Sequence, residues 1–195
     1  MEFGVSWAAR GLVVTAGSVM VAALVVGCSS DSASGPDPIS AAQSSSTRAP
    51  STPTSPVDVA GQAATAVYLG MWADMAAAAE TSNWQDPRLG QHATGTALTN
   101  ITRGLYADKA NGLVTKGRPQ NNPHVSSAEP ASSPNKVIIA DCGDDSQWQH
   151  YRVDNGQLAN DGPSGHRQIN AVVEKQSDGT WRVTDFGIHE VGTCT

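Results

Sequence analysis

The sequence predicts an α+β domain in which helices come first and strands follow. Between Pro56 and Gly112, apolar residues recur every three to four positions, which is the spacing of amphipathic helices. From Leu113 onwards, short β-prone runs are separated by clusters of Gly, Pro, Asn and Asp, which is typical of strands joined by turns. Helices and strands that are segregated along the chain in this way are characteristic of the α+β class.

Residues 1–27 predict a signal peptide. A front segment that carries Arg10 precedes an apolar run, residues 11–26, which is shorter than the about 20 residues that a membrane-spanning helix needs. An uncleaved membrane anchor is the alternative. Both interpretations place the rest of the chain outside the cytoplasm.

The leader ends in Leu24-Val25-Val26-Gly27-Cys28, which resembles the lipobox of bacterial lipoproteins. In that family the cysteine thiol receives a diacylglyceryl group, and a peptidase cleaves the chain just before it. The resemblance therefore implies that Cys28 is lipidated and that the chain is anchored at the extracytoplasmic face of the cell membrane. A buried cysteine in an ordinary apolar segment is the alternative. The composition, rich in Ala, Gly and Thr, also resembles that of actinobacterial proteins.

Residues 28–56 predict a disordered linker with the lipidated cysteine at its start. After Cys28 the segment is rich in Ser, Thr and Pro, has no aromatic residue, and contains Ile39 as its only large aliphatic residue. Such a segment buries too little apolar surface to compensate for the entropy that it would lose on ordering. Its Ser and Thr clusters are compatible with O-linked sugar or with a bare spacer.

The folded domain is predicted over residues 57–195, and a long helix opens it. Ser55 is suited to be the N-cap, Pro56 the first helical residue, and Asp58 the acid of a capping box. Asn83 and the Asp86-Pro87 pair are the signals that end the helix. One apolar stripe follows it: Ala60, Ala64, Val67, Met71 and Met75, with Tyr68 and Trp72 beside them.

Two further helices are predicted before the strands. Asp86 is a candidate cap for a short helix that Pro87 opens and that runs to about Ala93. Thr94 is a candidate cap for a third helix, which ends at Gly112. The third helix presents three apolar residues for packing: Leu98, Ile101 and Leu105.

Six short runs predict strands, and a single antiparallel sheet is their simplest arrangement. Ser177-Asp178-Gly179 predicts a hairpin turn between the last two runs. The inward rows of that hairpin are predicted to face each other: Ile169, Ala171 and Val173 against Trp181 and Val183. The six runs are residues 113–116, 123–127, 136–141, 148–153, 168–175 and 181–186.

Helices followed by an antiparallel sheet with the closing hairpin Asp178-Gly179-Thr180-Trp181-Arg182-Val183 resemble the nuclear-transport-factor-2-like fold. In that fold a long first helix lies across a curved sheet that is rolled into a cone. The resemblance covers residues 57–195 and implies a cone-like α+β domain; cystatin-like and other α+β folds give a similar pattern. The scaffold hosts isomerases, dehydratases, cyclases and non-enzymatic modules alike, so it implies no single function.

Two cysteines remain in the folded domain, Cys142 and Cys194. An even number of thiols in an oxidising compartment predicts a disulfide between them. Two unpaired buried cysteines are the alternative.

Composition and motifs argue against several functions. With a net charge of −6 and no basic patch, the chain predicts no nucleic-acid partner. It contains no zinc-hydrolase, phosphate-loop or dinucleotide motif, so neither a metal nor a cofactor is predicted. Polar residues surround Cys142, but they lack the spacing of a calcium loop and predict a solvated acidic turn. These residues are Asp141, Asp144, Asp145 and His150.

Two sets of residues are candidates for a functional site. His92 with Asp74 or Asp86 is a candidate acid–base pair if it faces the interior of the cone. Five aromatic residues are candidates to line an apolar pocket or else to fill the core: Tyr68, Trp72, Tyr106, Trp148 and Trp181. Because the inward stripe of the first helix is apolar, the sequence favours a mainly apolar interior and a non-enzymatic role, either binding a small apolar ligand or docking another envelope protein. A dehydratase, isomerase or cyclase-like enzyme is the alternative.

Overall fold

The computed structural model describes residues 55–159 and 162–195, which form three helices and six strands. The leader, Cys28 and nearly all of the predicted linker lie outside these residues, and the domain boundaries stay predictions. Helices come first and the ladders between strands are antiparallel, so the predicted fold class is confirmed. Within the described ranges, no helix combines the length and the apolar character that crossing a membrane requires. The elements are α1 (Pro56–Ala79), α2 (Leu89–His92), α3 (Gly95–Ala110), β1 (Leu113–Gly117), β2 (His124–Glu129), β3 (Lys136–Asp144), β4 (Trp148–Arg152), β5 (His166–Lys175) and β6 (Trp181–Val191).

Helix α1 begins at the capping box that the sequence predicts. The Ser55 hydroxyl accepts a hydrogen bond from the Asp58 backbone N–H at 3.1 Å, and the Asp58 carboxylate accepts one from the Ser55 backbone N–H at 3.3 Å. Both bonds satisfy donors that a helix start otherwise leaves unpaired. The helix ends at Ala79, four residues before Asn83, the first predicted stop signal. The Asn83 N–H donates a hydrogen bond back to the Ala78 carbonyl at 2.9 Å.

The next two helices form, but the predicted side-chain caps do not. Asp86 accepts a hydrogen bond from the Arg88 N–H at 2.9 Å and pairs with the Arg88 guanidinium at 2.6 Å, so the chain turns there and α2 begins only at Leu89. Thr94 precedes α3, but its side chain makes no capping hydrogen bond. Its backbone N–H instead donates to the Val183 carbonyl at 2.9 Å, which attaches the start of α3 to β6.

The strands form two sheets rather than the predicted single one. Four strands pair in the order β2-β3-β5-β6, and β1 pairs with β4. Gln120 and Asp144 exchange two backbone hydrogen bonds, of 2.9 and 2.8 Å, which extend the β2–β3 pairing to the last residue of β3. The chain then turns, so β4 leaves that sheet and pairs with β1, with Trp148 opposite Gly117.

The predicted hairpin between β5 and β6 is confirmed. Asp178 Oδ1 accepts hydrogen bonds from the Thr180 N–H at 2.9 Å and from the Thr180 hydroxyl at 2.6 Å. Gly179 has a φ of 84°, a left-handed conformation that glycine adopts without steric cost. Val173 pairs with Val183 across the hairpin as predicted, whereas Trp181 pairs with Lys175. Ile169 and Ala171 pair with Ile188 and Phe186 instead.

The core lies where the helices pack on the four-stranded sheet. The Trp72 ring stands edge-on to the rings of Tyr68, Trp148 and Phe186, with centroids 6.2, 6.0 and 5.9 Å away. Edge-to-face pairs at these separations are favourable beyond the area that they bury. Four buried residues of β5 and β6 complete this part of the core: Ile169, Ala171, Val173 and Val183.

A disulfide joins Cys142 of β3 to Cys194 beyond β6, as predicted. Their Cα atoms are 5.8 Å apart, a separation typical of disulfides. The bond therefore fixes the end of the chain to a strand in the interior of the four-stranded sheet.

Candidate functional site

A cavity of about 710 Å³ lies between α3, the β1–β4 sheet and β6, and it is partly open to solvent. Its volume falls within the range of about 300–1,000 Å³ that small-molecule sites occupy. Leu158 and Pro163, in the connection between β4 and β5, lie at its edge. This cavity is the candidate functional site.

Apolar side chains form the floor of the cavity. Ile101 and Leu105 lie one turn apart on α3, and both are buried. Met75 of α1 is buried beside them, while Trp148 of β4 and Phe186 of β6 are half-buried and contribute the aromatic part. The floor therefore offers an apolar surface that a ligand can cover.

Charged side chains form the wall of the cavity. Asp108 lies on α3 on the same face as Ile101 and Leu105, and its Oδ2 is 3.5 Å from Nε2 of His150 on β4. The Asp108 and His150 side chains are 21% and 33% exposed, so water reaches both. The cavity therefore combines a larger apolar surface, as the sequence predicts, with charged groups on its wall.

Arg167 of β5 holds the edge of the cavity in place. Its Nε donates to Asp145 Oδ2 at 2.8 Å, and its Nη2 donates to the Pro163 carbonyl at 2.7 Å. Asp145 Oδ1 also accepts a hydrogen bond from the Gly165 N–H at 2.6 Å. These charge-assisted bonds attach the segment around Pro163 to the sheet, so the ion pair sets the position of the edge.

The predicted pocket aromatics lie in three different environments. Trp148 lines the cavity. Tyr68 and Trp72 are buried in the core behind it, and Trp181 packs against the core while partly buried. Tyr106 lies on α3 with 57% of its surface exposed. The structure therefore brings one of the five into the floor of the cavity.

Phe186 is the aromatic residue of the cavity that sequence reasoning missed. Strict alternation from Val183 would place it on the opposite face of β6. The register between β5 and β6 shifts at Val172–Val173, and this bulge returns Phe186 to the inner face. Ile188 and Glu190, on the same face, also line the cavity. No pattern in the sequence marks the bulge, so no local signal could have found them.

The candidate acid–base pair forms, but away from the cavity. His92 Nδ1 is 2.6 Å from Asp74 Oδ2, and the two side chains are 33% and 15% exposed. The His92 ring lies against Gly70 of α1, at a point where the Cβ of any other residue would come within 2.7 Å of it. Asp86 pairs instead with Arg88. None of the three candidates is among the residues described as lining the cavity.

The polar residues around Cys142 have separate partners, and one of them is buried rather than solvated. Asp141 is 3% exposed and accepts hydrogen bonds from the Tyr68 hydroxyl, the Asn121 side chain and the Asn122 N–H, each at 2.7 Å. Burial and the adjacent Asp141 carboxylate raise the pKa of Tyr68, so the phenol stays protonated and donates.

In the part of the chain that the structure describes, no three His, Cys, Asp or Glu side chains are placed to hold a metal ion. The other three pair as follows: Asp144 with Ser146, Asp145 with Arg167 and His150 with Asp108.

Comparison with known proteins finds similar structures at low sequence identity. No protein-family model and no curated protein matches the sequence. The intermembrane-space region of the chloroplast protein ARC6 has a TM-score of 0.48 and 12% identity, over 66% of this chain and 95% of that one. A ketosteroid isomerase-like protein from Erwinia carotovora atroseptica has a TM-score of 0.43 and 6% identity, over 67% and 95%. A nuclear transport factor 2-like superfamily protein from Salmonella enterica serovar Typhimurium has a TM-score of 0.42 and 14% identity, over 69% and 98%. These similarities carry no argument about the activity of this chain.

Proposed function

We propose that the domain binds a small, largely apolar ligand in the cavity. The observation that carries the proposal is the buried apolar floor, in which Ile101, Leu105 and Met75 meet the half-buried rings of Trp148 and Phe186. A cavity of about 710 Å³ with such a floor has the size and lining of a small-molecule site. Covering the floor with a ligand removes apolar surface from water, which is favourable by about 25 cal/mol per Å².

Filling the cavity from α3 is expected to weaken ligand binding without unfolding the protein. Gly104 lines the cavity, and a Cβ at this position would meet no other atom within 4 Å. Gly104→Trp should therefore occupy the space, and it should lower the affinity for the neutral fluorescent probe N-phenyl-1-naphthylamine by about tenfold or more, equivalent to about 1.4 kcal/mol. Helix stability should not suffer, because glycine is a poorer helix former than tryptophan.

The matched control is Gly90→Trp. Gly90 lies on α2, also has no atom within 4 Å of an added Cβ, and is not among the residues described as lining the cavity. Probe titrations use the full chain carrying Cys28→Ala, so that no attached lipid competes. We expect Gly90→Trp to bind like the parent protein. A parent protein that does not bind the probe, or a Gly104→Trp protein that binds it equally well, contradicts the proposal.

One observation favours a second function, acid–base catalysis in the same cavity. His150 and Asp108 form a histidine–carboxylate pair in the wall, and such pairs can transfer protons to a bound substrate. The enzyme candidate is a dehydratase, isomerase or cyclase-like activity. Mass spectrometry of the compound that copurifies with the protein separates the two functions. A ligand recovered unchanged after incubation supports binding, and a converted one supports catalysis.

We also propose that a lipid on Cys28 holds the domain at the extracytoplasmic face of the cell membrane. The support is the lipobox resemblance at the end of an apolar leader, followed by a Ser, Thr and Pro-rich segment. The disulfide between Cys142 and Cys194 agrees with an oxidising compartment outside the cytoplasm. Cys28 itself lies outside the described residues.

Cys28→Ala is expected to release the protein from the membrane or to leave its leader uncleaved. Lipidation needs the thiol, and two acyl chains suffice for stable anchoring. Fractionation and mass spectrometry of the membrane fraction measure both outcomes, and the wild-type protein should show no peptide from residues 1–27. Ser29→Ala, one residue further along, is the control and should change neither. A Cys28→Ala protein whose leader is cleaved and that stays membrane-bound contradicts the proposed lipid anchor.

A further inference from the structure

We propose that the ligand of the cavity carries a cationic group, such as a protonated amine, at one end of its apolar part. This inference rests on the proposed function, since it specifies the chemistry of the ligand that the same cavity binds. Two observations support it: the charges of the described wall residues, and the ion pair that Arg167 already forms with Asp145.

The wall of the cavity is acidic. Its described lining residues include the carboxylates of Asp108, Asp145 and Glu190, whereas Arg167 is the only lysine or arginine among them. Without counting the histidine, three carboxylates and one guanidinium leave a formal charge of −2. A cleft lined by one sign of charge above an apolar floor concentrates its field and attracts ligands of the opposite sign.

Arg167 already forms an ion pair and hydrogen bonds inside the protein, which limits its capacity to bind an anionic ligand. Each of its three side-chain nitrogens donates a hydrogen bond inside the protein: Nε to Asp145, Nη1 to the His189 carbonyl at 3.4 Å and Nη2 to Pro163. Its charge is balanced by Asp145 at 2.8 Å. A ligand carboxylate would have to share this guanidinium with Asp145, and it would also face the remaining acids of the wall. The cavity therefore disfavours fatty acids and similar anions.

Two carboxylates remain to meet a cation. Asp108 lies on α3 beside the buried floor residues, and its nearest described side-chain partner is the imidazole of His150 at 3.5 Å. Glu190 lies across the cavity on β6, on the face that also presents Phe186 and Ile188. An apolar chain that covers the floor thus ends close to a carboxylate on either side. An ammonium group there gains charge-assisted hydrogen bonds that an uncharged ligand end does not make.

The test compares ligands that share one chain and differ only in the head. Dodecylamine, dodecanol and dodecanoate compete with N-phenyl-1-naphthylamine for the full chain carrying Cys28→Ala, each below its micelle concentration and at neutral pH. Dodecylamine is expected to bind about tenfold more tightly than dodecanoate, with dodecanol between them. The preference should shrink in about 0.5 M salt, because the wall is partly exposed and its charges are screened.

Two substitutions locate the effect. Glu190→Gln and Asp108→Asn should each lower the affinity for dodecylamine by about threefold and leave that for dodecanol unchanged. Asp185→Asn is the matched control. Asp185 lies on the same strand as Glu190, but it is exposed and is not among the described lining residues. It should change neither affinity.

The outcomes separate this inference from the function on which it rests. A probe that binds but is displaced equally well by amine and carboxylate, or better by carboxylate, overturns the cationic ligand and leaves binding in the cavity intact. An amine preference that survives both wall substitutions also overturns it. A probe that does not bind at all overturns both proposals.

Discussion

Replacing Cys142 and Cys194 together by serine is expected to lower the free energy of unfolding by about 4 kcal/mol. The two residues are 52 positions apart, and a cross-link over a loop of that length restricts the unfolded chain by roughly that amount in the chain-entropy model. Urea denaturation of the oxidised parent protein and of the double variant measures the difference as a shift of the unfolding midpoint.

Thr193→Ala is the control for the loss of other contacts at the same chain end. The Thr193 hydroxyl accepts a hydrogen bond from the Gln168 N–H and donates one to the Glu190 carbonyl, both at 2.8 Å. Because Thr193 is exposed, their loss should cost about 1 kcal/mol or less. A double serine variant that loses no more than Thr193→Ala would show that the cross-link does not stabilise the domain.

The helix start and the last hairpin could be predicted because each depends on a few neighbouring residues. The capping box needs only Ser55 and Asp58 three positions apart, and the turn needs Asp178 followed by Gly179. Local residue patterns do not predict the starts of α2 and α3 equally well. Thr94 has the right chemistry for a cap, but a contact with β6, far along the chain, decides its conformation.

The two sheets and the cavity could not be predicted, since they depend on contacts between distant residues. Alternation along β6 would point Phe186 outwards, and only the bulge opposite β5 turns it into the cavity. Asp108 is a partial exception. Its spacing from Ile101 and Leu105 places it on the packed face of α3, so the sequence does contain a signal for a carboxylate in the interior.

Asp141 shows why an acidic run is a poor guide to exposure. The run from Asp141 to Asp145 predicts a solvated turn, but it continues β3, in which successive side chains point to opposite faces. Asp141 therefore faces the core, where three donors converge on it, while Asp144 stays partly exposed. Asp141 is buried because β3 continues through it to Asp144. The sequence does not indicate this length, since glycine and aspartate are uncommon in strands.

Asp141→Ala is accordingly expected to lower the free energy of unfolding by about 3–5 kcal/mol, since it leaves one buried and two partly buried donors without their acceptor, and each buried donor left so costs about 1–3 kcal/mol. The donors are the Tyr68 hydroxyl, the Asn121 side chain and the Asn122 N–H. Urea denaturation measures the loss, and Asp144→Ala on the same strand is the matched control. The Asp144 carboxylate is partly exposed and accepts a hydrogen bond from the Ser146 backbone N–H, so losing this carboxylate should cost about 1 kcal/mol.

Tyr68→Phe tests the same cluster from the donor side. It removes one hydrogen bond to a charged acceptor but leaves Asp141 with its two asparagine partners, so the expected loss is about 1.5–3 kcal/mol, between those of the two aspartate variants. The decisive result is the order of the three losses, with Asp141→Ala largest and Asp144→Ala smallest. The cost of leaving buried donors unpaired predicts this order, whereas the side-chain volume removed does not, because the two aspartate variants remove the same volume. If Asp141→Ala proves no more destabilising than Asp144→Ala, the cluster does not hold α1 to the sheet.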